Sequence, residues 1–170
     1  MELLLIRHAI AMERDDFAAS GLPDSERPLT DVGRAKMIEI AAGLASLVPT
    51  IAMLASSPYT RARETADIVA AVFPGVRRAD TPALVPEELP ISFARWLAGH
   101  AASAEGGVIA AVGHEPHLGD MAAWLIAGEA EHAIGFKKGG ACLIEIDEAP
   151  RRASGTLRWL LTPSQLRRLG

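Results

Sequence analysis

Leu3-Leu4-Leu5-Ile6-Arg7-His8 is the stretch that decides the fold. Its four consecutive apolar residues are too few for a typical helix. They read as a strand buried on both faces, as in a parallel sheet covered by helices. Two polar residues follow at once. The pattern recurs twice. Ile51 to Ala55 is a second buried-strand candidate, followed by Ser56-Ser57-Pro58-Tyr59-Thr60-Arg61. Gly107 to Val112 is a third, followed by Gly113-His114.

The segments between these strands carry helical signals. Thr30 is a plausible N-cap for a helix from Asp31, whose acid suits the positive end of the helix dipole. Along it Val32, Ala35, Ile38, Ala42 and Ala45 form a stripe at three- and four-residue spacing, and Pro49 marks the stop. Ser57-Pro58 opens a second helix, with Ala62, Ala66, Val69 and Phe73 as its core face and Pro74-Gly75 closing it. Arg77 to Thr81 is a weak strand, and Pro82, Pro86 and Pro90 predict a loop before a short helix around Phe93, Trp96 and Leu97. Pro116 begins a helix with Leu118, Met121, Ala122 and Leu125 on its apolar face. Ala141 to Ile146 and Thr156 to Leu161 predict two late strands, an antiparallel edge, and Pro163 to Leu169 a terminal helix. The alternation predicts the α/β class, as a three-layer α/β/α sandwich around a largely parallel central sheet. The Pro/Gly/Ser-rich stretch Ser20 to Pro28 reads as a loop.

Composition sets the bounds. The chain has 170 residues, the length of one domain spanning 1–170. With 49% hydrophobic and 22% charged residues it is not of disordered type. Seventeen Lys and Arg against 21 Asp and Glu give a net charge of -4, which argues against a nucleic-acid partner. The single cysteine, Cys142, excludes an internal disulfide and a multi-cysteine zinc site. It lies in an apolar strand and reads as a small buried hydrophobe. A reduced, cytoplasmic setting is the default expectation. Leu3 to Ile6 is too short for a signal-peptide core, and no run approaches the roughly 20 apolar residues of a membrane span.

In open α/β sheets, sites form at the carboxyl ends of strands. Arg7, His8, Arg61 and His114 all fall there, and the set has one chemical meaning. Two guanidiniums grip phosphoryl oxygens in forked geometry, and a helix N-terminus beside Arg61 adds N–H donors. A neutral imidazole can attack phosphorus and form a covalent phosphohistidine. A second imidazole can stabilise charge or move a proton. If the arginines neutralise the charge, no metal or other cofactor is expected.

These residues carry a resemblance. Leu5-Ile6-Arg7-His8-Ala9 is similar to the signature of the histidine phosphatase superfamily, with Ala9 where glycine is usual. Ser56-Ser57-Pro58-Tyr59-Thr60-Arg61-Ala62-Arg63-Glu64-Thr65-Ala66 resembles its second motif. Val112-Gly113-His114-Glu115-Pro116 resembles its third, and Arg27-Pro28-Leu29-Thr30-Asp31-Val32-Gly33 the linker before its first helix. The order is the family's own. The resemblance implies a phosphoglycerate mutase-like fold, with His8 as nucleophile, Arg7 and Arg61 on the phosphoryl oxygens and His114 completing the pocket. The short length and the ending from Phe136-Lys137-Lys138-Gly139 through Leu157-Arg158-Trp159 resemble the small bacterial phosphohistidine phosphatases of the SixA type. The implied substrate is phosphohistidine on a protein. The alternatives are a small phosphorylated metabolite with the same chemistry, or a non-catalytic phosphate- or phosphoprotein-binding module.

Other features are weighed against this reading. Glu87 and Glu88 are the candidates for a proton donor to the leaving group, although no motif fixes either. His114-Glu115-Pro116-His117 does not fit the zinc helix signature, which needs two histidines four apart on an unbroken helix. His117 reads as a first-turn residue near the pocket rim, and His100 and His132 as polar loop residues. Lys137-Lys138-Gly139-Gly140 reads as a solvated turn that could meet an acidic partner. Trp96, Trp124 and Trp159 read as packing.

Overall fold

The first apolar run forms a strand, β1 (Glu2–Arg7), whose Leu3, Leu4, Leu5 and Ile6 are all fully buried. In the computed structural model, which describes residues 1–104, 107–129, 134–147 and 149–170, it lies inside a six-stranded sheet. The other strands are β2 (Met53–Ser56), β3 (Arg77–Asp80), β4 (Val108–Gly113), β5 (Ala141–Ile146) and β6 (Gly155–Leu161). Their order is β3-β2-β4-β1-β5-β6. The first four are parallel; β5 and β6 extend the sheet antiparallel, as their lack of an intervening helix allows.

Alternate residues of the strands feed two cores. Leu4, Ile6, Leu54, Ala110 and Val112 pack on one face, under α2 (Asp31–Leu47) and α3 (Thr60–Ala71). Leu3, Leu5, Met53, Ile109 and Ala111 pack on the other, under α4 (Pro90–His100) and α5 (His117–Ala127). This is the expected three-layer sandwich. Each large apolar side chain buried here contributes ~1.5–3 kcal/mol. Cys142 is fully buried in β5, and burial pushes its thiol pKa up.

Thr30 caps α2 as expected, its Oγ1 accepting the Gly33 N–H at 2.9 Å. The buried face of α2 is not the expected one. Val32 and Ile38 are exposed, while Gly33, Met37, Ile40, Ala41, Gly43 and Leu44 face inward. Two glycines explain it, because they let other backbone come against the helix. A Cβ at Gly33 would stand 2.0 Å from Ile10 O, and one at Gly43 2.0 Å from Leu166 O. In α3 the expected Ala62, Ala66 and Val69 are buried; Phe73 is buried too, but just beyond the helix, which ends at Ala71 rather than at Pro74-Gly75.

A short helix, α1 (Arg14–Ala18), precedes the expected loop Ser20 to Pro28, which contains a 3-10 turn (Asp24–Glu26). Two further expectations are corrected. The last helix, α6 (Pro163–Leu166), is shorter than expected, continuing only as turns. His100 is not in a loop but ends α4, its ring stacked on Trp96 at 4.0 Å with Nδ1 2.7 Å from Trp96 O. His132 lies outside the described residues.

Gly43→Ala should therefore cost at least ~2 kcal/mol, because the added methyl overlaps backbone that α6 cannot withdraw without losing Leu166 from the core. Urea denaturation measures this. A loss within ~0.5 kcal/mol, the range of ordinary surface changes, would contradict the close approach.

Candidate active site

Register brings the polar strand ends together. β1 pairs with β4 so that Arg7 faces Gly113, and β2 with β4 so that Ser56 faces Val112. The ladder runs one residue further. His8 N–H donates to Gly113 O, and Ser57 N–H to Val112 O, both at 3.0 Å. His8, Ser57 and His114 thus leave three adjacent strands at one level. The His8 and His114 rings lie 5.0 Å apart, and His114 Nε2 is 2.9 Å from Ser57 Oγ.

Arg61 sits in the first turn of α3 and is 2% exposed. Arg7, His8, Arg61 and His114 all line one cavity of about 200 Å³, together with Arg27, Arg14, Glu13 and Glu115. Tyr59, just before α3, presents its ring to His114 at 5.2 Å and to the Arg61 guanidinium at 4.9 Å.

His8 Nδ1 is 2.7 Å from Ala9 O. A carbonyl only accepts, so Nδ1 carries the proton and Nε2 holds the lone pair. Burial pushes the His8 pKa down to about 3, against the pull of the Ala9 carbonyl, and Arg61, Arg7 and Arg27 lower it further. Burial, then the neighbouring His8 and Arg61, push His114 down to about 2. Both rings are therefore neutral at physiological pH. Ala9 takes the glycine position without strain. Among the described residues Ala153 is the only non-glycine with positive φ. Ala9 N–H donates to Thr65 Oγ1 at 3.0 Å, and Thr65 Oγ1 donates to Arg61 O at 2.7 Å, tying the end of β1 to α3.

Three site residues escape a sequence reading. Asp24 bridges the arginines: Oδ2 is 3.1 Å from Arg61 Nη2, Oδ1 accepts from Arg27 Nε at 2.8 Å, and its carbonyl accepts from Arg61 Nη1 at 2.8 Å. Burial pulls the Asp24 carboxyl up, but the Arg27 hydrogen bond and the charges of Arg61, Arg27 and Arg14 outweigh it and hold it below its ordinary value. Arg27, 8% exposed, is a third buried guanidinium on the pocket wall. Glu115 accepts the Phe136 N–H at 2.7 Å, while the Phe136 carbonyl accepts from Arg7 Nη1. The backbone of one residue, Phe136, thus links Glu115 to Arg7. The only sequence signal for this trio was Arg27 in the linker and Glu115 beside His114.

Glu87 and Glu88 are not on the pocket wall. Glu87 is exposed and accepts from the Tyr59 hydroxyl at 3.2 Å. His117 is buried in the first turn of α5 rather than at the rim. Among the described residues no cluster of three His, Cys, Asp or Glu is arranged to hold a metal ion, and no helix is long and apolar enough to cross a membrane.

The lowered imidazole pKa values have a signed consequence. The unfolded chain binds protons at these rings below about pH 6.5, where the folded chain does not, so stability falls as pH drops from there toward 3. In phosphate-free buffer the His8 ring should stay neutral by NMR down to about pH 4. Titration of His8 near the ordinary imidazole value would contradict its burial among the arginines.

Comparison with known proteins places the chain in a family and a fold. The sequence profile of the histidine phosphatase superfamily (branch 1) matches residues 3–84. An uncharacterised protein of Picosynechococcus sp. is 34% identical over 140 residues, which cover 82% of each chain. The structure of the protein histidine phosphatase SixA complexed with tungstate has a TM-score of 0.81 at 25% identity, covering 98% of this chain and 99% of that one. The alpha-ribazole phosphatase from Shigella flexneri shares the fold, with a TM-score of 0.69 at 21% identity and coverage of 96% and 97%. The six-stranded sandwich is thus of the phosphoglycerate mutase-like type. With the profile over β1 to β3 and the shared fold over nearly the whole chain, the chain belongs to the histidine phosphatase superfamily, branch 1, and is a phosphatase of that superfamily.

Proposed function

We propose that the protein removes the phosphoryl group from phosphohistidine on a protein, through a covalent intermediate on His8. The observation that carries this reading is the contact of His8 Nδ1 with Ala9 O, which leaves Nε2 as a neutral lone pair among Arg7, Arg27 and Arg61. Arg7 and Arg61 take the phosphoryl oxygens, with Arg27 beside them. His114, held by Ser57, supports the charge that builds on the transferring group.

In the first step the His8 Nε2–P bond forms as the substrate's N–P bond breaks. The departing imidazole, protonated on its other nitrogen, leaves as a neutral ring. In the second step water attacks phosphorus and the Nε2–P bond breaks. Inorganic phosphate is released, the water's proton passes to solvent, and His8 returns to its neutral form. Splitting one displacement into two lowers each barrier.

Two features favour phosphohistidine over phosphomonoesters. An alkoxide leaving group needs an acid; the expected donors Glu87 and Glu88 lie off the pocket wall, and Glu115, which lies on it, is engaged with the Phe136 N–H. The strong likeness to a protein histidine phosphatase points the same way. Likeness to a small-molecule phosphatase keeps the phosphomonoester reading as the competing outcome of the test.

Turnover of a phosphohistidine-bearing protein should exceed that of a panel of small phosphomonoesters by ~10²-fold or more in kcat/KM; the reverse ranking would overturn the substrate assignment. His8→Ala should abolish turnover and the acid-labile phosphoenzyme trapped on quenching, with the fold intact by circular dichroism. Residual turnover at the wild-type rate would sink the mechanism. Arg61→Ala should lower kcat/KM by ~10²–10³-fold, the loss expected when a preorganised charge-stabilising donor is removed.

A further inference from the structure

We propose a second anion-binding site behind the catalytic loop, formed by Lys36, Lys138 and Arg167, that takes a carboxylate or phosphate group. These residues come from α2, the 137–140 turn and the segment after α6. They line a cavity of about 160 Å³ with Ile40, Pro163 and Ser164, and Ala9 closes it on the His8 side. At roughly 30 Å³ per water that is space for a small oxyanion group and a little hydration.

The charges in the cavity are unbalanced. Arg167 Nε is buried without a hydrogen-bond acceptor, and Glu39 Oε2 stands 3.7 Å from it. Lys138 Nζ comes no nearer than 3.9 Å to Glu13 Oε1, on the catalytic-pocket side. Lys36 has no acidic partner among the described residues. Three cations thus face two carboxylates, neither nearer than 3.7 Å, against walls whose apolar side chains strengthen any charge interaction. The chain as a whole is acidic, so this local excess is the reverse of its average.

The cavity is joined to the catalytic one. Lys138 lines both. Gly139 N–H is shared between Arg7 O and His8 O, each at 3.2 Å, and Arg7 N–H donates to Gly140 O at 3.0 Å. An anion that draws on Lys138 therefore acts on the turn that holds the backbone of Arg7 and His8. It has two sources. One is an acidic side chain of a protein substrate whose phosphohistidine fills the catalytic pocket, which rests on the function proposed above. The other is a free anion such as inorganic phosphate.

Two measurements on the whole protein test the site. In the first, inorganic phosphate is titrated and followed by NMR. Two saturable sets of shifts are expected, one at Arg61 and His114, the other at Gly33, Ile40 and Ser164. Lys36→Ala with Arg167→Ala should remove the second set alone; Lys36→Ala by itself, the milder change, should weaken it several-fold. In the second, Lys36→Glu and Arg167→Glu are compared on a phosphohistidine protein and on a small phosphoramidate. KM for the protein should rise about tenfold, with kcat and small-substrate turnover unchanged. Loss of the second shift set without a change in KM supports the site with a free anion. A KM rise without a second shift set supports it with a substrate carboxylate. Absence of both overturns it. Inactivity of the wild-type enzyme on every phosphohistidine protein would sink the substrate assignment above and leave the phosphate titration to decide the site.

Discussion

Two backbone hydrogen bonds govern this molecule: His8 N–H to Gly113 O and Ser57 N–H to Val112 O. They continue the parallel ladder one residue past three strands. Strand neighbours lie about 4.8 Å apart, so side chains leaving the ladder at one level must meet. The 5.0 Å separation of the His8 and His114 rings is this spacing expressed in imidazoles. A one-residue slip of β1 against β4 would turn Leu4 and Ile6 toward the wrong core and Leu3 and Leu5 with them. The two apolar cores therefore enforce the register, and the register assembles the site.

The cost of this arrangement is electrostatic. Three guanidiniums converge where water is scarce, and burial lowers the pKa values of Arg7 and Arg61. Unpaired buried charge would cost several kcal/mol, so the free protein supplies its own anion. Asp24 holds Arg61 and Arg27 through both carboxylate oxygens and its carbonyl. Its side chain is 36% exposed, so an incoming dianion can compete with it for the guanidiniums. In the proposed reaction the phosphoryl oxygens exchange for those of Asp24, and the arginines are satisfied before and after. Neutral imidazoles fit the same logic, because a cationic ring among three guanidiniums would add repulsion. The unprotonated state of His8, the proposed nucleophile, thus follows from its burial and the guanidinium charge around it.

What the sequence makes legible follows from how local each signal is. Continuous apolar runs mark buried strands, and Leu3 to Ile6 and Val108 to Val112 are visible for that reason. The strand-end positions of His8, Arg61 and His114 come with them. The buried face of α2 is illegible because Gly33 and Gly43 occupy it, and a hydrophobic count passes over residues whose role is to have no side chain. Val32 and Ile38 supply a better apolar pattern on the solvent side. Asp24 is illegible for another reason. It lies in a Pro/Gly/Ser-rich stretch with no periodicity, and its partner Arg61 is 37 residues away. The Glu115–Phe136–Arg7 chain spans 129 residues and uses the backbone N–H and C=O of Phe136, which no residue type announces.

The same separation bears on the leaving group. A sequence search for the acid looks to Glu87 and Glu88, the carboxylates of a loop with no other evident duty. The structure engages Glu87 with the Tyr59 hydroxyl. The carboxylates that do reach the pocket are Glu13 and Glu115. Burial raises the Glu115 pKa, while the Phe136 N–H, Arg7 and the Gly119 N–H oppose it. Burial outweighs them, so its pKa stays above the ordinary value; the two backbone N–H groups and Arg7 engage this carboxylate in positioning the Phe136 segment. A leaving group that arrives already protonated makes no demand on Glu13 or Glu115 as an acid. Imidazole of phosphohistidine meets that condition and an alkoxide does not, which is how the proposed substrate fits this wall.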